Sequence, residues 1–299
     1  MKLTNKLDHL EIKLYASIIM DKKEALKIVQ ENGSELSNLP DHFKKDKQIV
    51  LEAVKQYGLA LYHADRSLRK DKEVVLEAIK GNGDALMFAD KSFKKDRKIV
   101  LEAVKHSGYA LEFADKSLKK DKLFILEAVK KNPYDSPALR DADKSLRKDK
   151  EVVLAAVKRY GLALQYADKS LKKDKEVVLA AVKNMGLALY DADKSLRKDK
   201  EVVLAAVKDE GMALHDADKS FRKDKEVVLE AVKENGDVLE IADKSLKKDK
   251  EVVLAAVKEN CDSIKYADDN LKKDPDILKG INESLMNDPD VQAMLNKKK

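Results

Sequence analysis

From Asp149 the chain reads Asp-Lys-Glu-Val-Val-Leu-Ala-Ala-Val-Lys, and its apolar residues fall in a fixed rhythm. Val152, Val153, Ala156 and Val157 stand at i, i+1, i+4 and i+5, with Leu154 widening the stripe. That spacing predicts an amphipathic helix with one buried face. Asp149 is placed to cap it, because a carboxylate there accepts from the free N–H groups of the first turn. Glu151 and Lys158 lie at the ends of the helix dipole that favour their charges. Gly161 is expected to stop the helix as a residue of positive φ just past its end. Ala163, Leu164, Ala167 and Leu171 are then spaced for one face of a second, shorter helix, and Lys172-Lys173 lead into the next Asp.

The same ten residues restart at Asp174, Asp199 and Asp249, and close variants begin at Asp46, Asp71, Asp96, Asp121 and Asp224. The interval is 25 residues, except for 28 between Asp121 and Asp149. A weaker copy begins at Asp21 and a truncated one at Asp274. Two helices this short cannot bury their own apolar face, but stacked neighbours can. The expectation is an all-α solenoid, a superhelix of about ten stacked two-helix repeats. Residues 1–20 are expected to form an N-terminal capping helix, 21–273 the repeat array, and 274–299 a C-terminal cap. The irregular unit, 121–148, carries three extra residues and two prolines, Pro133 and Pro137, and is expected to bulge as a loop there.

The run Val-Val-Leu-x-Ala-Val-Lys-x-x-Gly-x-Ala-Leu-x-x-Ala-Asp resembles the bacterial and viral repeat family catalogued as domain of unknown function four-one-one-six. More distantly it is similar to leucine-rich-variant and HEAT-like helical repeats. The resemblance covers roughly residues 46–273. It implies a stacked helical superhelix and brings no catalytic residue with it.

Numbering each copy from its first Asp separates two kinds of position. Asp at 1, Lys at 10, Ala at 19 and Asp at 20 recur in all nine good copies. Positions 11, 12, 14, 17 and 18 vary freely. Seven of the nine tyrosines, three of the five histidines and two of the six phenylalanines fall in these five columns. They are Tyr57, Tyr62, His63, Phe88, His106, Tyr109, Phe113, Tyr160, Tyr166, Tyr190, His215 and Tyr266. A fixed scaffold with diversified, Tyr-rich contacts is how repeat binders and paratopes recognise partners. These residues are therefore the candidate contact surface for a protein or peptide, against the simpler reading of drift on a solvated face.

Charge adds an alternative. Lys and Arg number 61 against 55 Asp and Glu, a net charge of only +6, but charged residues make up 39% of the chain. A dibasic pair occupies positions 24 and 25 of every copy, and its second members include Lys95, Lys120, Lys148, Lys173, Lys198, Lys223 and Lys248. Stacked, they would line an edge able to hold nucleic acid or another polyanion. Asp at 20 and 1 flanks each pair and cancels much of that field. A structural spacer rod is a further alternative.

Catalytic chemistry is not signalled. The five histidines are dispersed, and no Cys-x-x-Cys, phosphate loop or nucleophile elbow occurs. Cys261 alone permits no intrachain disulfide, and it stands where the other copies carry glycine. The expectation is a non-enzyme without cofactor or metal. The N-terminus lacks the apolar core of a signal peptide, and Leu14–Met20 is too short to span a bilayer. A cytoplasmic monomer without membrane insertion is expected.

Overall fold

The computed structural model describes residues 20–132 and 138–287, with side chains as far as Ile281. The expected capping helix within 1–20, the core of the irregular loop and the last residues of the C-terminal cap lie outside the described residues. Every regular element among the described residues is helical. The fold is an all-α solenoid of tandem repeats. The chain divides into two compact units, Met1–Asp143 and Lys144–Lys299, each built from the same repeat.

In the second unit the repeat opens with a ten-residue α-helix, such as Lys150–Arg159, Lys175–Asn184 or Lys200–Asp209. Val152, Val153, Ala156 and Val157 are buried, as the spacing predicts, whereas Leu154 stays half-exposed. Helices of consecutive repeats pack side by side, and each also packs on the short elements that follow it.

The second helix differs from its expected form. It is a 3-10 helix, Gly161–Tyr166, followed by a separate 3-10 turn, Leu171–Lys173. Ala163, Leu164, Ala167 and Leu171 are all buried, but on two elements joined by extended Ala167. With so few residues, i→i+3 bonds satisfy the backbone sooner than an α-helical turn does.

The glycine at position 13 also plays another part. No described glycine has a positive φ. The helix ends instead at position 12, in extended Tyr160, and Gly161 opens the next element. A Cβ built on Gly161 would stand 2.5 Å from the carbonyl oxygen of Ala181 in the following repeat, and one on Gly58 would meet Ala78 in the same way. Glycine is needed because two repeats touch backbone to backbone there.

Two ladders explain most invariant polar positions. Asp174 Oδ1 accepts from the backbone N–H groups of Glu176 and Val177, at 3.0 and 3.2 Å. Its Oδ2 accepts from Lys150 Nζ of the preceding repeat at 2.7 Å, and the same ammonium lies 2.8 Å from Glu176. Lys175–Asp199, Lys200–Asp224 and Lys225–Asp249 repeat this arrangement, as does Lys47–Asp71 in the first unit. The second ladder runs through position 20. The Asp193 N–H donates to Lys172 O of the preceding repeat at 2.9 Å, while Asp193 Oδ1 accepts from Ser195 N and Oγ, at 3.0 and 2.7 Å.

Replacing Asp174 by Ala removes both the cap and the ion pair. The expected cost is about 1–2 kcal/mol, most of it from the cap, because the half-exposed pair is screened. Asp174→Asn keeps a capping oxygen and should lose less than half as much. Urea denaturation of the two variants measures the difference.

Candidate recognition surface

The five variable columns lie where the α-helix ends and along the 3-10 helix that follows. Within each unit, the 3-10 helices of consecutive repeats pack against one another, so the columns form a row along that unit. In the first unit the Tyr62 ring is 5.0 Å from Phe88 of the next repeat and 4.9 Å from His63. Burial, and then nearby Lys44, push the His63 imidazole below its ordinary value, so it is neutral at pH 7. Tyr109 lies under the Arg140 guanidinium at 5.1 Å, and Arg140 also pairs with Glu112 at 3.2 Å. Arg140 belongs to the irregular unit, which is why counting columns missed it.

Part of the variation is structural. Where position 12 is Asn, as in Asn82, Asn235 and Asn260, its side chain caps the 3-10 helix by accepting from the N–H of Asp84, Asp237 and Asp262. Where it is Tyr57, Tyr160, Met185 or Glu210, no side chain caps the helix, and position 14 is Leu59, Leu162, Leu187 or Met212. In these copies positions 12 and 14 switch together between a capped, polar form and an uncapped, apolar one, while Ser107 caps its helix with Tyr109 at position 14. Position 11 also bridges repeats. Asn184 Oδ1 and Asp209 Oδ2 each accept from the glycine N–H of the preceding repeat at 2.6 Å, and Glu259 does the same with Gly236.

The dibasic pair splits into two roles. The first member turns toward the variable columns: Lys94 Nζ donates to Met87 O at 2.6 Å and Lys119 Nζ to Glu112 O at 2.5 Å. Arg197 donates to Tyr190 O and Ala192 O and covers the Tyr190 ring at 5.7 Å. These cations satisfy the last carbonyls of the 3-10 helix. The second member is exposed. Lys173, Lys198, Lys223 and Lys248 lie 3.7–3.9 Å from Asp193, Asp218, Asp243 and Asp268 of the next repeat. Lys95, Lys120 and Lys148 are exposed at the same position.

This repeat has relatives. The family model described as Domain of unknown function (DUF4116) matches residues 21–69, 71–119, 96–147, 121–172, 149–197, 174–222, 199–247 and 224–272. The chain belongs to that family. Each match takes in two consecutive DUF4116 repeats, and the first starts at the weak copy beginning with Asp21. No curated protein and no solved structure matches the chain.

Within the DUF4116 array the candidate aromatic residues differ in exposure. Tyr57, Tyr62, Tyr109 and Tyr190 are exposed, as are His106 and His215. His63, Phe88, Phe113, Tyr160, Tyr166 and Tyr266 are half-buried, each presenting one side. His106 Nε2 stands 3.3 Å from Glu102, and Lys265 Nζ sits 4.7 Å above the Tyr266 ring. Burial pushes the Asp216 carboxyl up, with neighbouring Arg197 and His215 opposing it. Among the described residues, no group of three His, Cys, Asp or Glu side chains could hold a metal ion. Likewise no described helix is long and apolar enough to cross a membrane.

Proposed function

We propose that the protein is a non-catalytic scaffold that binds a protein or peptide through the variable columns. One observation carries this reading. Eight large apolar side chains are exposed among the described residues, and six of them stand in those columns: Tyr57, Tyr62, Met87, Tyr109, Leu187 and Tyr190. Most of the invariant positions have structural duties as caps, ion pairs, core and close contacts. Rigid aromatic side chains that cost little entropy to order are well suited to a contact face. The polyanion reading has less in its favour, since Lys94, Lys119, Arg197 and Lys247, first members of their pairs, serve the chain's own carbonyls and four of the second members face an aspartate.

The test is selection of a displayed random-peptide library against the full chain, followed by titration of the enriched peptides at about 50 and 200 mM salt. Binding through the aromatic columns changes little with salt. A polyanion site contacting several phosphates would lose orders of magnitude over that range. Enrichment of no peptide, together with steeply salt-dependent binding of single-stranded nucleic acid, would overturn the proposal.

A further inference from the structure

The α-helical face of the second unit, which meets the variable columns only at position 11, carries a feature that the first unit lacks. Position 7 is Glu in every good copy of the first unit; in three of the four it neutralises the lysine at position 10, and in the fourth Glu127 pairs with Arg97 and Lys131. Lys55–Glu52, Lys80–Glu77 and Lys105–Glu102 are paired at 2.6, 3.0 and 2.6 Å. In three consecutive copies of the second unit position 7 is Ala155, Ala180 and Ala205. Two observations go with the missing carboxylate. Grooves lie between neighbouring helices: one of about 560 Å³ between Leu154 and Leu179, and one of about 520 Å³ between Leu179 and Leu204. Among the described residues no carboxylate lies within ion-pair distance of Lys158 or Lys183, whereas Lys208, on the second groove's wall, has Glu230 of the next repeat at 3.8 Å. The glutamates on the opposite wall, Glu176 and Glu201, are already held by Lys150 and Lys175 at 2.8 Å.

We infer that this face is a second docking surface, bordering the variable columns at position 11, and that its occupant is an acidic amphipathic peptide segment. Apolar residues of the segment rest on the half-exposed leucines, and its carboxylates take the place that Glu at position 7 fills in the first unit. Charge complementarity sets the choice at the groove between Leu154 and Leu179, where two lysines without an ion pair flank an apolar floor and the one carboxylate, Glu176, is held by Lys150; in the next groove Lys208 is paired with Glu230 and Asp209 accepts from Gly186 N–H. Packed helices stand about 8–10 Å apart, close to two turns of an α-helix. A helical segment lying across the repeats would therefore carry a Leu and a Glu about every seven residues.

The probe is a labelled four-heptad helix with Leu and Glu at that spacing, titrated by fluorescence anisotropy against the full chain. Ala180→Glu rebuilds the first unit's arrangement, filling a groove and pairing with Lys183, and the first unit shows that the helix tolerates it. It should weaken binding about tenfold, as loss of a charge-assisted contact does. Lys158→Gln with Lys183→Gln should do the same, and alanines at Tyr166 and Tyr190 should change nothing. Equal binding of a peptide with Lys for Glu, no effect of Ala180→Glu, or binding of laurate but not the peptide would each overturn the inference. Because the column variant is read alongside, failure here is distinct from failure of the proposed function.

Discussion

Gly161→Ala is expected to destabilise the second unit by about 3 kcal/mol, the upper end of what an added methyl costs in a packed interior. The new Cβ would lie 2.5 Å from Ala181 O, and backbone cannot rotate away as a side chain would. Relief requires the two repeats to separate, which also loosens the bond from Gly161 N–H to Asn184 Oδ1. In a solenoid such a fault acts on the coupling between neighbours, so cooperativity should fall as well as stability. Gly81→Ala is the control. Gly81 ends a helix at position 11, where other copies carry Gln56, His106 or Arg159. A Cβ there would stand 3.2 Å from Val54 O, a contact relieved by a shift of a few tenths of an ångström, so the change should stay within about 1 kcal/mol of neutral. Urea denaturation followed by circular dichroism reads both variants, and equal midpoints would refute the close-contact role of position 13.

The second large effect is expected in acid. Asp174 is held below its ordinary pKa by the Lys150 ammonium, against burial, with help from two backbone N–H donors. At Asp199 burial is the largest influence and raises the carboxyl, yet Lys175 and the cap together outweigh it and the net shift is downward. Asp168 and Asp193, at position 20, are lowered by hydrogen bonds from Ser170 and Ser195. The pattern recurs along both units, so many small contributions share one sign. A carboxyl whose folded pKa is depressed contributes stability that is fully present above the unfolded pKa. That stability is lost as the pH falls through the folded value. The midpoint temperature should therefore be level above about pH 5 and fall steeply below about pH 4. Salt screens the lysine pairs but not the caps, so the acid transition should persist at about 0.5 M salt. A midpoint unchanged down to about pH 3 would contradict the ladders.

The periodicity of the apolar residues made the first helix, its cap and its buried face legible. Val152, Val153, Ala156 and Val157 needed nothing beyond their spacing. What escaped was contact between repeats. Gly161 was read as a helix stop because stops are local, while the carbonyl it faces belongs to residue 181. Lys172 and Lys173 are adjacent in sequence, yet only the structure shows one turning to the variable columns and the other outward. Asn82 with Asp84 was visible as variation, but its meaning as a cap required the 3-10 helix that it opens. The exchange of Glu for Ala at position 7 is visible in the sequence too. It gained significance only when Lys183 was found without the carboxylate that Lys80 has.

The division of labour between invariant scaffold and variable columns is tested most directly by one variant. Tyr62, Phe88, Phe113, Tyr166 and Tyr190 are replaced together by Ala, and its dissociation constant for a selected peptide is measured beside its thermal midpoint. Two of the five, Tyr62 and Tyr190, are exposed, and the other three are half-buried. Each lost contact residue is worth about 1 kcal/mol or more in binding, so affinity should fall at least about a hundredfold while the midpoint moves by only a few degrees. Unchanged affinity in a folded variant would contradict the assignment of recognition to these columns.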